Sequence, residues 1–386
     1  MSTRVAVGMS ESIDAVEAFS EAAAQAADGL DAECDLCVMF AGAPHLGHGK
    51  WILSVVHDRL APRHLIGCGA GGVVGRGREI EEGPAAVVWA ASMPGAEIES
   101  HHFEVEQSDE GFRVHGLESL GEGGDCMIVL ADPYSFATGA LLERLGELRP
   151  GMPVLGGLAS ASAVGSASLF RDGDLLSGGA IGCSVSGASI LPCVSQGAAP
   201  VGPEMTITSA AGNVIEELAS RPALERLREA LAGLDARERE LAGSGLMLGI
   251  VIDENKPEYE RGDFLVRPII GADAQAETIT LGERVRVGQT VRMQIRDAAS
   301  ADEDLRAALR GQLQALAPSR PAGALLFTCN GRGSHMFEAP DHDAAAVEDA
   351  LGVPAGGFFC AGEIGPVGGR NFLHGFTATM AVFGAD

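Results

Sequence analysis

Gly356-Gly-Phe-Phe-Cys360-Ala-Gly-Glu363-Ile-Gly-Pro-Val-Gly-Gly-Arg370-Asn371-Phe-Leu-His374-Gly-Phe-Thr377 is the stretch around which the chain is organised. An apolar strand over 357–360 runs into a glycine-rich turn, and a second apolar strand over 376–383 leaves it. Four glycines and a proline separate Cys360 from Arg370. That density lets backbone N–H groups turn inward or approach a ligand closely. Glu363, Arg370, Asn371 and His374 sit at the lip of the two strands, where a rigid scaffold presents a binding site.

The spacing returns early in the chain. Cys68 precedes Arg78 as Cys360 precedes Arg370, within Ile66-Gly-Cys-Gly-Ala-Gly-Gly-Val-Val-Gly-Arg-Gly-Arg78-Glu79. Each copy follows a strand and an amphipathic helix: 35–41 and 51–60 before the first, 323–329 and 343–351 before the last. A third copy lies between, with strand 125–131, helix 135–148, Val154-Leu-Gly-Gly-Leu-Ala-Ser160, and strands over 166–170 and 178–185. The pattern is three units of roughly sixty residues, each strand, helix, strand, glycine turn, strand, which points to duplication inside a globular α/β fold with mixed α+β sheets.

The bulk properties restrict the function. The formal net charge of −26 argues against nucleic acid or an anionic membrane as partner, because phosphate selects basic surfaces. The first residues lack an apolar core and no run has the length of a membrane span, so a cytoplasmic, acidic, soluble protein without membrane insertion is expected. The eight cysteines are scattered through apolar strands and read as small core residues. Gln196-Gly-Ala-Ala-Pro-Val-Gly-Pro203 is the expected boundary between domains 1–203 and 204–386. Beyond it, 205–210 reads as a strand, Gly212-Asn213 as a turn, 214–218 and 223–241 as helices, and 302–316 as an amphipathic helix.

Several motifs point to nothing further. Gly67-x-Gly-x-x-Gly72 has no helix after it and no acidic residue at the distance a dinucleotide ribose needs. Cys34-x-x-Cys37 has no second pair, and His101-His102 no third ligand, so no metal or cofactor is expected. The remaining polar cluster is Cys329-Asn330-Gly331-Arg332-Gly333-Ser334 at the end of a strand. Strand tips in one sheet converge, so Asn330, Arg332, Glu363, Arg370, Asn371 and His374 are expected to line one pocket. Two guanidiniums suit a carboxylate and a Glu suits an ammonium, which together describe an amino-acid-like zwitterion. The competing reading has Glu363 and Arg370 paired with each other as a brace. Cys360, His374 and Glu363 have the residue types of a thiol nucleophile site, a weaker candidate because Cys360 lies in an apolar strand.

These residues resemble the FIST family. The closing stretch, with Leu326-Phe-Thr-Cys-Asn-Gly-Arg-Gly333 before it, is similar to the C-terminal half of the FIST domain. Ile66-Gly-Cys68, Gly77-Arg78-Glu79-Ile80-Glu81 and Gly156-Gly-Leu-Ala-Ser160 are similar to the N-terminal half, and the likeness runs from about residue 30 to 383. The resemblance implies an intracellular sensory module that binds a small ligand, amino acids among them, and adds Arg78 and Glu79 to the candidate binding residues. The chain has no room for an output domain, so a separate signalling partner is implied. A cysteine-dependent hydrolase or transferase using Cys360 and His374, and a protein-interaction scaffold, are the alternatives.

Overall fold

The computed structural model describes residues 2–108, 111–121, 123–161 and 169–385. Helix accounts for 27% and strand for 44%, in several mixed sheets, which is the α+β class expected. Contacts gather the chain into two compact units: Met1–Val194 with Leu305–Leu373 and Ala378–Asp386, and Ser195–Asp304 with His374–Thr377.

The first unit opens with β1 (Arg4–Ser10), α1 (Ala15–Leu30), β2 (Leu36–Gly42), α2 (Gly49–Leu60), β3 (His64–Ala70), β4 (Val73–Gly75), β5 (Arg78–Ile80) and β6 (Ala86–Ser92). There follow β7 (Glu97–Ser108), β8 (Gly111–His115), β9 (Cys126–Ala131), α3 (Thr138–Leu148), β10 (Val154–Leu158), β11 (Leu169–Arg171), β12 (Asp174–Leu176), β13 (Ala180–Ser186) and β14 (Ile190–Gln196). The strand expected over 166–170 thus begins outside the described residues.

The second unit holds β15 (Ala198–Ala211), β16 (Val214–Leu218), β17 (Arg221–Pro222), α4 (Ala223–Ala232), α5 (Ala236–Gly245), β18 (Leu246–Val251), β19 (Phe264–Asp273), β20 (Thr278–Leu281) and β21 (Thr290–Arg296). Strand order β15-β21-β18-β19-β20-β16, with β16 pairing back onto β15, closes a barrel. Its interior is filled by Val201, Ile207, Ile215, Leu248, Ile279, Val291 and Met293, with α4 packed against it. The ends of this segment are tied together, since Asp304 accepts hydrogen bonds from Ser195 Oγ and Gln196 N, both at 2.8 Å.

Two helix expectations change here. Residues 214–218 form a strand, because Gly212-Asn213 makes a two-residue hairpin turn with φ +65° at Gly212 and sets Ala211 opposite Val214. Residues 223–241 are two helices. Asp235 starts the second with a capping box, its carboxylate accepting from Glu238 N–H while Glu238 accepts from Asp235 N–H.

After α6 (Ala298–Leu316) the first unit resumes with β22 (Pro321–Cys329), α7 (Ser334–Phe337), α8 (His342–Leu351), β23 (Ala355–Cys360), β24 (Glu363–Val367), β25 (Arg370–His374) and β26 (Thr377–Gly384). Its three sheets have strand orders β1-β6-β2-β3-β11-β12, β8-β7-β13-β9-β10-β24-β25 and β14-β26-β22-β23-β4-β5. The same figure recurs in each. A helix crossover joins a parallel pair, β2–β3, β9–β10 or β22–β23. A later strand, β6, β13 or β26, returns antiparallel beside the first of the pair. Between these two events a short hairpin leaves for a neighbouring sheet. β4–β5 completes the sheet of β23, β11–β12 that of β3, and β24–β25 that of β10. What reads in sequence as a glycine turn is therefore a lent hairpin, turned at Arg76-Gly77 and Gly368-Gly369, all four with positive φ.

The paired strands are unbroken apolar runs because both faces are covered. Their inner faces share one core, including Val38, Phe40, Trp89, Ile128, Leu325, Phe327, Phe358 and Phe383. The outer faces take α1 and α2, α3, or α6 and α8. Asp14 caps α1 by accepting from Glu17 N–H at 2.9 Å. An alanine-rich face then lays α1 so close to β1 that a Cβ at Gly8 would meet Ala22 O at 1.8 Å.

Candidate functional site

The three lent hairpins leave their parent strands at one place. Phe359 N donates to Gly72 O at 3.0 Å, Leu158 N to Gly362 O at 2.8 Å, and Ser160 N to Gly69 O at 3.2 Å. Ser160 Oγ binds both sides of the crossing, accepting from Gly71 N at 2.8 Å and donating to Phe359 O. The crossing tolerates no bulk: a Cβ at Gly157 would lie 2.3 Å from Cys360 Sγ. Carboxyl ends of parallel strands are where α/β sheets hold ligands, and the end of β22 meets the crossing through Asn330 N, which donates to Cys360 O at 2.9 Å.

Two residues beyond, Arg332 turns back, its N–H on Cys329 O at 2.9 Å. Its side chain is fully buried. Nε and Nη2 form a fork on Asp343, with both bonds at 2.7 Å. Asp343 stands in the first turn of α8 and also accepts from Thr328 Oγ1 at 2.7 Å. Burial works against its charge, but the Arg332 guanidinium overrides that and holds its carboxyl well below the usual range. Phe337 and His342 stack at 3.4 Å, with the guanidinium 5.1 Å from the Phe337 ring. The third nitrogen, Nη1, is buried and has no hydrogen-bond partner among the described residues. Glu363, also fully buried, acts on Arg332 through its charge.

The β4–β5 hairpin closes the other side with carboxylates. Glu79 N donates to Asp341 Oδ1 at 2.6 Å, Glu79 Oε1 accepts from Ala344 N at 2.9 Å, and Glu81 accepts from Ser334 N and Oγ at 2.8 and 2.9 Å. Glu79 Oε2 is buried without a partner among the described residues. Burial, then the charge of Asp343, pushes the Glu79 carboxyl up from its ordinary 4.5 to about 7. The sign follows directly. The folded protein holds a proton on Glu79 where the unfolded chain has released it. This contribution to stability is therefore whole below about pH 4.5 and lost as pH rises through about 7. Urea melts across that window should lose the corresponding downward slope in Glu79→Gln; an unchanged slope would mean that Glu79 is ionised throughout.

Of the residues singled out in sequence, Arg332, Glu363 and Glu79 gather here. Arg78 is exposed and pairs with Glu11 at 2.7 Å. Arg370 is exposed, 5.4 Å from the Phe372 ring. Asn371 fastens β25 to the entry of β10, accepting from Val154 N at 2.9 Å and donating to Met152 O at 2.8 Å. The Asn330 side chain is exposed. His374 is buried and belongs to the second unit. Cys360 is fully buried, donates to Phe358 O at 3.7 Å, and is held as a thiol by burial and then by the charge of Glu363. Sequence reasoning passed over Asp343, Glu81, Ser334 and Ser160. Asp341-His-Asp343 at the start of a helix, eleven residues after Arg332, was the available signal for the ion pair. Among the described residues no group of three or more His, Cys, Asp or Glu is placed to hold a metal ion, and no helix is long and apolar enough to cross a membrane.

Comparison with known proteins gives matches over nearly the whole chain. The family model described as FIST N domain matches residues 35–221, and that described as FIST C domain matches 223–366. The chain is 44% identical over 383 residues to "Uncharacterized protein Rv0628c" of Mycobacterium tuberculosis (strain ATCC 25618 / H37Rv), covering 98% of this chain and 99% of the relative. It is 43% identical over 386 residues to "Uncharacterized protein Mb0898c" of Mycobacterium bovis (strain ATCC BAA-935 / AF2122/97), covering 99% of each.

Proposed function

The chain belongs to the FIST family, a sensory and signal-transduction family, and from that premise we propose that it binds a small polar ligand at the strand crossing beside Arg332. One observation carries the reading: a guanidinium with no solvent exposure keeps one N–H without a hydrogen-bond partner among the described residues. A buried donor left unmade costs about 1–3 kcal/mol, and a bound acceptor removes that cost. Glu79 Oε2, without a partner among the described residues, is an acceptor in the same cluster, since Glu79 Oε1 is bonded to the helix that carries Asp343. Amino acids are among the candidates, although the sequence expectation of two guanidiniums on one carboxylate has less support now that Arg370 is exposed. The ligand acts as a signal by binding one conformation better than another, and a separate protein reads the shift. One further proposal belongs with this one: the three sheets arose from one duplicated unit.

Thermal melts of the full chain over a panel of amino acids, amides and amines test the site. A stabilising compound should lose its effect in the double variant Arg332→Met/Asp343→Leu and keep it in Arg370→Ala. Silence across the panel, or a shift that survives in the double variant, would remove Arg332 from any binding site.

A further inference from the structure

Two of the buried thiols are neighbours across a parallel strand pair. The register of β22 and β23 sets Phe327 opposite Phe358 and Cys329 opposite Cys360. Phe327, Phe358 and Cys360 all face the shared core. Side chains alternate along a strand, so Cys329, two residues after Phe327, points the same way as Cys360. Adjacent strands lie about 4.7–4.9 Å apart, inside the roughly 4.4–6.8 Å that a disulfide spans between Cα atoms. The pairing holds to its end, because Asn330 N donates to Cys360 O at 2.9 Å. The electrostatics agree, since Cys329 is among the groups whose charge acts on Cys360.

The two sulfurs differ in their surroundings. Cys360 has no solvent exposure, and burial, then the charge of Glu363, keeps it protonated. Cys329 stands at the strand tip and is 9% exposed, the highest value among the eight cysteines. Its sulfur accepts from Gly331 N–H at 3.4 Å, and its charge acts on the Arg332 guanidinium. A donor on the sulfur and a cation beside it favour the thiolate, which is the reactive form. We propose that Cys329 and Cys360 are a reversible redox pair, in which a hydroperoxide oxidises Cys329 and Cys360 closes the disulfide. In the first step the Cys329 thiolate attacks one peroxide oxygen, the O–O bond breaks, and the departing oxygen takes up a proton. With hydrogen peroxide the products are a sulfenic acid on Cys329 and water. In the second step the Cys360 sulfur attacks the sulfenic sulfur, the S–O bond breaks, and the Cys360 proton leaves with the hydroxyl as water. The two sulfurs are oxidised together by two electrons and the peroxide is reduced by two; a dithiol reverses the change by exchange. Cys360 Sγ fills the space beside Gly157, 2.3 Å from where a Cβ would lie, so drawing it toward Cys329 loosens the strand crossing.

The test treats the reduced full chain with hydrogen peroxide, unfolds it in an alkylating agent and maps the cysteines by peptide mass spectrometry. Free thiol should be lost together at Cys329 and Cys360, which become cross-linked, while Cys34, Cys37, Cys126 and Cys183 remain fully alkylated. Dithiothreitol should restore both. In Cys360→Ser, oxidation should stop at a Cys329 sulfenic acid that dimedone captures; in Cys329→Ser, Cys360 should stay a thiol. The map of the unaltered chain is informative whether or not a variant folds. A Cys329 that stays alkylatable under peroxide, a cross-link to another partner such as Cys68, or sulfinic acid on Cys329 with no cross-link would each overturn the pair.

Discussion

Cut between 203 and 204, the chain should give two fragments that do not fold separately. The N-terminal fragment would keep β10 without its partner β24, whose register sets Gly157 opposite Glu363. The C-terminal fragment would keep β23 without β4, whose register sets Phe358 opposite Val73. Beyond these lost edges, the inner faces of all three sheets share one core. Phe40 stacks on Phe358 at 4.8 Å, and Trp89 lies 4.8 Å from Phe383, so the cut would expose large aromatics on both fragments. Each buried aromatic is worth about 1.5–3 kcal/mol of transfer free energy, and a whole domain is stable by only about 5–15 kcal/mol. Expressed alone, each fragment should aggregate or lack a cooperative melt; co-expressed, the two should assemble. Two fragments that each melt cooperatively as soluble monomers would contradict the shared core.

Breaking the buried ion pair should be nearly as severe. Arg332→Ala leaves Asp343 fully buried without its counter-charge, and takes from Glu363 the guanidinium whose charge reaches it. Asp343→Ala leaves the guanidinium with no partner on its fork. Removing one member of a buried pair costs about 3–5 kcal/mol, because the other charge stays desolvated. The double change Arg332→Met/Asp343→Leu should cost less than either single one, since apolar volume replaces both charges. It will not be neutral, because Glu363 remains. Urea denaturation of the three variants supplies the numbers, and a single variant costing under about 1 kcal/mol would mean that water reaches the pair. Acid should mimic the break. Asp343 titrates lower in the fold than in the unfolded chain, so its contribution is whole above about pH 4 and fades as pH drops further.

What the sequence reveals, it reveals locally. The run Leu36–Gly42, the helix Gly49–Leu60 and the run His64–Ala70 can each be read from apolar spacing, and so can their counterparts further on. The destination of the hairpins cannot. Nothing in Val73–Gly75 names Phe358 as the neighbour, because pairing across almost the whole chain is decided by the core that both strands share. The candidate site divides along the same line. Arg332 and Glu363 were legible as polar residues at glycine-rich strand ends. Arg370 carried the same signal and is exposed, because the turn before it is the tip of a hairpin rather than the lip of a pocket. Glu79 reached the site for a reason no local pattern contains: its hairpin docks on the helix that carries Asp343.

Asp304 holds Ser195 and Gln196, so the chain that departs into the barrel is brought back to its point of departure. With those ends pinned, a turn of the barrel can lengthen at small entropic cost, since doubling a flexible loop costs only about 0.6 kcal/mol. Extra residues in a barrel turn would therefore leave the pinned ends at Ser195 and Asp304 where they are.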